Sequence, residues 1–185
     1  MLRNIFEFIK VVVVSLLIIL PIRFFVIQPF YVKGASMEPN FHDHEYLIVD
    51  EVSYRFNSPS RGEVIVFRYP LNPKEYFIKR VIALPGEEVE IVDGDIYIYN
   101  EENPNGFLLK ESLYLDDSVD TYNVEEGSTE LDGDEYFVLG DNRHASKDSR
   151  SFGPVNKSFI VGRVMLRAWP FSSFSLFKHM DYYNN

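Results

Sequence analysis

The chain has 185 residues, 46% of them hydrophobic and 16% aromatic, enough for one compact core with a side excursion and too apolar for a generally disordered protein. It has no cysteine, which excludes a disulfide framework, a Cys-ligated zinc site and a thiol nucleophile, and its four histidines are scattered, so His42 and His44 read as surface imidazoles and no metal site is expected. The net charge of −10 is uneven: residues 87–135 carry 17 acidic groups and only Lys110 as a base, while the rest of the chain is +6, without the basic stripe that nucleic acid binding requires.

Val11 to Ile22 is apolar apart from Ser15 and Pro21, and with Phe6, Phe8 and Ile9 before it and Phe24 to Ile27 after it the stretch reaches about 20 residues, enough to span hydrocarbon. This predicts an uncleaved anchor, Phe6 to Gln28. The competing reading is a cleaved secretory signal, which would require a cut near Gly34 to Ser36. Arg3 and Lys10 on one side face Arg23 and Lys33 on the other, so charge leaves the orientation open.

Beyond the anchor, ring-bearing and β-branched residues favour strands, and helix is expected to be the minority. Phe30 to Lys33, Tyr46 to Val52, Glu63 to Tyr69 and Tyr76 to Leu84 have strand composition and are separated by Pro- and Gly-containing breakers. Val89 to Val92 and Ile96 to Tyr99 flank Asp93-Gly94-Asp95 as a hairpin, Glu101 to Glu135 is acidic and irregular, and Tyr136 to Leu139 and Ile160 to Trp169 return to strand character. The expected architecture is mainly β. An anchor segment (1–28) precedes an antiparallel core built from 29–86 and 136–171, with an inserted acidic lobe (87–135) and an aromatic tail (172–185).

Three polar features stand out. Gly34-Ala35-Ser36-Met37-Glu38-Pro39 sets a serine among small residues just past the anchor; alone, such a serine is most simply a turn former, since its hydroxyl needs a base to become a nucleophile. Lys79 lies within the largely apolar run Tyr76 to Leu84. It reads either as an edge-strand lysine that blocks aggregation, or as a buried amine whose lowered pKa lets it accept a proton. Gly140 to Arg150 is densely polar and directly follows a strand, so Asp148 and Arg150 are placed to pair, with Ser146 offering a hydroxyl to an amine.

Gly34-x-Ser36-Met37-x-Pro39, Arg61 to Phe67, Lys79 to Gly86, and Gly140 to Arg143 with Ser146, Asp148, Ser149 and Arg150 resemble, in order and spacing, the successive boxes of bacterial type I signal peptidases. The resemblance runs from the anchor to about Phe171, leaving out the acidic segment. It implies a membrane-bound serine endopeptidase that removes signal peptides from secreted preproteins, cutting after small residues with a Ser36–Lys79 dyad. Ser146 would orient the lysine, Asp148 and Arg150 would brace it, and Asp141, Asn142 and Arg143 would shape the same loop. The oxyanion would be held by the Ser36 backbone and the position of Gly34, where a missing hydroxyl leaves a backbone N–H or water as second donor. Val32, Met37, Phe41, Phe77 and Ile78 would line the substrate pockets.

The resemblance further implies no cofactor, single-pass attachment to the cell membrane with the catalytic part outside the cytoplasm, and the lipid bilayer and secretion translocon as neighbours. Asn40 stands where Thr is common and Ala83 where Gly is common; neither change removes a reactive group. Lys79 separates the chain from endoplasmic-reticulum relatives, which use histidine there. The alternative is a catalytically silent, membrane-tethered β module or assembly chaperone of the same fold.

Overall fold

The computed structural model describes residues 2–25, 27–122 and 127–177. Among the described residues twelve strands, all paired antiparallel, form two sheets. The larger is built from β1 (Ile27–Tyr31), β2 (Tyr46–Asp50), β3 (Val64–Arg68), β4 (Tyr76–Ala83), β9 (Glu135–Leu139), β10 (Val155–Asn156), β11 (Ile160–Trp169) and β12 (Ser175–Leu176), ordered β1-β2-β11-β3-β4-β9-β10 with β12 paired to β11. The smaller runs β7-β6-β5-β8 and is made of β5 (Glu88–Val92), β6 (Asp95–Tyr99), β7 (Phe107–Leu108) and β8 (Ser128–Glu130).

The predicted hairpin forms with a two-residue turn: Val92 pairs Asp95, and Asp93 and Gly94 take φ of 52° and 93°. Positive φ at both central positions matches the right-handed twist of the flanking strands, and Asp-Gly supplies it. Three apolar clusters fill the interior. Met37, Phe41, Leu47, Val49 and Val66 belong to one, Ile65, Phe67, Val81 and Val138 to a second, and Ile82, Ile98, Phe137 and Leu139 to a third that joins the two sheets. Arg61, on the loop before β3, adds a polar tie between the sheets. Its guanidinium donates to both oxygens of Glu87 at 2.6 and 2.9 Å and to the Ile82 carbonyl, all buried.

The anchor predicted over Phe6 to Gln28 falls on α1 (Leu2–Phe25) and on β1, because Gln28 pairs with Val49 as part of a strand. Described α1 side chains, residues 5–17, are all exposed; those of 18–25 lie outside the described residues. Among the described residues no helix is long and apolar enough to cross a membrane. Of the expected tail, β12 returns to the sheet, with Leu176 opposite Leu166, and residues 178–185 lie outside the described residues.

The larger sheet curls until β1 approaches β4: the Phe30 and Tyr76 rings meet at 5.5 Å although three strands separate β1 from β4 in the sheet. β9 pairs β4 only from Arg80 onward, so Tyr76 to Lys79 pair with β3 alone. The edge of β4 that β9 leaves open therefore faces the free edge of β1 across an open groove.

Candidate active site

Alternation along β4 sends Lys79 and Arg80 to opposite faces. Lys79 is 3% exposed, which excludes a solvated edge lysine, and its Nζ lies 2.7 Å from Ser36 Oγ and 2.7 Å from the Ile78 carbonyl. Burial pushes its ammonium from the ordinary 10.5 down to about 8, outweighing the opposite pull of the Asp148 and Asp141 carboxylates. Ser36 itself is half-buried on the loop that follows β1.

Arg80 is a permanent cation and is fully housed. Its Nε and Nη2 donate to the two oxygens of Asp141 at 2.8 and 2.6 Å, its Nη1 donates to the Gly62 carbonyl, and its guanidinium stacks 3.9 Å over the Tyr114 ring. Asp148 is completely buried. It takes a two-armed contact from Arg150 at 2.8 Å for each arm, accepts from the Gly140 N–H, and caps α2 (Ser149–Phe152) through the Arg150 N–H. Asn142 holds the serine loop from outside: its N–H donates to the Ser36 carbonyl and its amide to the Ala35 carbonyl, both at 3.1 Å.

Ser146 departs from its expected role. Its hydroxyl is buried with no hydrogen-bond partner among the described residues and does not bond Lys79. It fills the space over Gly140, where an added Cβ would stand 2.1 Å from Ser146 Oγ and 2.4 Å from the Ser36 carbonyl oxygen. The oxyanion expectation also changes at Gly34. There the N–H is already donated to Asp43 Oδ1 at 2.8 Å, whereas the Ser36 N–H makes no hydrogen bond among the described residues.

A cavity of about 420 Å³ opens onto Ser36 and Lys79 between the β1 and β4 edges. Of the residues assigned to the substrate pockets, Val32, Phe77 and Ile78 line this cavity and Met37 and Phe41 do not. The turn that brings the Phe41 N–H to the Met37 carbonyl rolls both side chains into the core, where they are 1% and 0% exposed. Leu47 and Val66 take their places on the floor, and Phe30, Tyr31 and Tyr76 form the rim. The alternation of β2 marks Leu47 as inward-facing and the apolar run of β3 buries Val66, but no sequence signal says that this face opens on a groove. Lys33, Glu75 and Lys147 supply the charges at its mouth. Among the described residues no group of His, Asp and Glu is arranged to hold a metal ion.

A model of the family described as "Signal peptidase, peptidase S26" matches residues 5–169. Signal peptidase IB of Staphylococcus aureus is 34% identical over 180 residues, 93% of each chain. A probable signal peptidase I-2 of Synechocystis is 36% identical over 166 residues, 87% of this chain and 72% of that protein. The crystal structure of a signal peptidase I from Enterococcus faecalis aligns with a TM-score of 0.46 at 31% identity, covering 59% of this chain and 98% of that one. With a family match across residues 5–169 and a relative 34% identical over 93% of each chain, the chain belongs to the signal peptidase family, peptidase S26.

Proposed function

We propose that this protein is a membrane-attached serine endopeptidase that removes signal peptides from secreted preproteins, with Ser36 as nucleophile and Lys79 as general base. The observation that carries the reading is the 2.7 Å contact between Lys79 Nζ and Ser36 Oγ in a site where burial lowers the amine's pKa to about 8. In its neutral form the amine accepts the Ser36 O–H and donates one N–H to the Ile78 carbonyl. As Oγ attacks the scissile carbonyl carbon, its proton passes to Nζ and the carbonyl electrons move onto oxygen. The free Ser36 N–H meets that oxyanion, and water or the incoming chain supplies the second donor, since Gly34 is engaged by Asp43. Collapse breaks the C–N bond while Nζ returns the proton to the leaving amine. Water then gives a proton to Nζ as its oxygen adds to the acyl carbon, and collapse breaks the ester C–Oγ bond while Nζ returns the proton to Ser36 Oγ, freeing the new carboxyl terminus.

The substrate enters as an extended strand between β1 and the open edge of β4. Main-chain hydrogen bonds supply affinity there, and alternate side chains drop onto the floor at Val32, Leu47, Val66 and Ile78. Residues 29–86 and 136–171 act as the catalytic unit. Attachment is assigned to α1. Its residues Phe6, Phe8, Ile9 and Val11 to Val14 expose large apolar surface, and the sequence continues apolar through Leu20. The largely apolar run of about 20 residues within Phe6 to Gln28 is assigned a single pass through the cell membrane, with the catalytic unit outside the cytoplasm and beside the export translocon, where secreted preproteins emerge. The full chain in detergent, given a preprotein, is expected to release the mature form; Ser36→Ala is expected not to. Equal cleavage by both forms would overturn the assignment.

A further inference from the structure

We infer that the acidic lobe positions the nucleophile, and that Glu111 is the residue through which it does so. The inference rests on the Ser36–Lys79 reading above. Glu111 lies between β7 and β8, 32 residues before Arg143, and receives a two-armed contact from its guanidinium: Nη1 donates to Oε2 and Nη2 to Oε1, each at 2.6 Å. The Arg143 side chain is fully buried, and Thr121 Oγ1 accepts a further bond from Nη1. The fork is therefore held entirely by the lobe.

The remaining nitrogen of the same guanidinium reaches the other way. Arg143 Nε donates to the Gly140 carbonyl at 3.0 Å, and Gly140 packs so closely on Ser36 that no Cβ fits between them. Two residues on, Asn142 grips the backbone of Ala35 and Ser36. Force on Glu111 thus passes through one rigid guanidinium to the residues that fix the Ser36 backbone. A second route runs beside it. The Tyr114 hydroxyl donates to Glu111, its ring lies under Arg80, and its carbonyl accepts from Asn40, whose amide also bonds Asp141. The lobe thereby touches both the loop of Ser36 and the strand of Lys79. A buried guanidinium that loses its carboxylate partner is drawn toward water, and any such shift of Arg143 pulls on the bond that its Nε donates to the Gly140 carbonyl.

Glu111→Gln keeps the shape and removes the charge. In the full chain, with kcat normalised to the folded fraction from near-UV circular dichroism, this variant is expected to lose turnover on the order of 100-fold. KM should stay within about twofold, because the groove itself is untouched. Glu102→Gln, an exposed change in the same lobe, should match the wild type. If Glu111→Gln does not fold, Thr121→Val decides the matter, since it deletes only the hydroxyl that accepts from Arg143; a severalfold fall in kcat at constant KM is expected. Wild-type kcat per folded molecule in whichever variant folds would overturn the inference. Ser36→Ala run in parallel separates the two levels: cleavage that needs Ser36 but ignores Glu111 refutes the lobe's role alone, whereas cleavage without Ser36 refutes the dyad.

Discussion

Replacing Lys79 by methionine separates the electrostatic penalty of the buried amine from its chemistry, because methionine fills a similar volume without a charge. Lys79 is 3% exposed, and burial holds its ammonium at about 8 against an ordinary 10.5. Below about pH 8 the amine is protonated in folded and unfolded chains alike, and the folded state bears the whole penalty. Between 8 and 10.5 the unfolded chain keeps a proton that the folded chain has shed, so stability climbs with pH; above 10.5 both are neutral and the penalty is gone. At about 1.4 kcal/mol per pH unit across that window, the penalty at neutral pH is about 3 kcal/mol. Lys79→Met lacks this titration. Its advantage in stability over the wild type should therefore shrink by about 3 kcal/mol between pH 7 and pH 10.5, as read by urea unfolding followed through Trp169 fluorescence. The same proton governs turnover, so wild-type kcat/KM should fall about tenfold per pH unit below about pH 8. A stability difference that stays flat across the window would refute the reasoning, because an amine with an ordinary pKa has nothing to recover.

Gly140→Ala forces a Cβ to within 2.4 Å of the Ser36 carbonyl oxygen. It is expected to destabilise the fold by about 1–3 kcal/mol and to depress kcat more than a stability loss of that size explains, as thermal unfolding and steady-state kinetics will report. Glu87→Gln leaves the Arg61 guanidinium buried without its carboxylate, so a loss of about 3–5 kcal/mol in urea unfolding is expected, with the far-UV spectrum still that of a β protein.

The longer strands were legible because their residues repeat a pattern. Tyr46 to Val52, Glu63 to Tyr69, Tyr76 to Leu84 and Ile160 to Trp169 contain β2, β3, β4 and β11 to within two residues at each end. β7, β8, β10 and β12 were not, since two or three residues display no period and form only where a longer neighbour offers an edge. Within the site, the resemblance placed Met37 and Phe41 at the substrate pockets, yet both turn into the core. Ser146 was expected at the amine and instead packs over Gly140. Glu111, Thr121 and Tyr114 carried no signal at all. Their partners lie in the core, and one carboxylate among 17 in an acidic stretch is indistinguishable from its solvated neighbours until the chain is folded.

Lys79 and Arg80 are adjacent in the chain, and only the pleat decides which of them meets the serine. A slip of one residue in the pairing of β4 with β3 would present a guanidinium to Ser36 and leave a primary amine in the clasp of Asp141. The first cannot shed a proton at any ordinary pH, and the second cannot fill a fork shaped for two parallel bonds. The Asp141 clasp thus works as a register gauge: by accepting only the arginine, it ensures that each folded copy turns the titratable cation toward the groove.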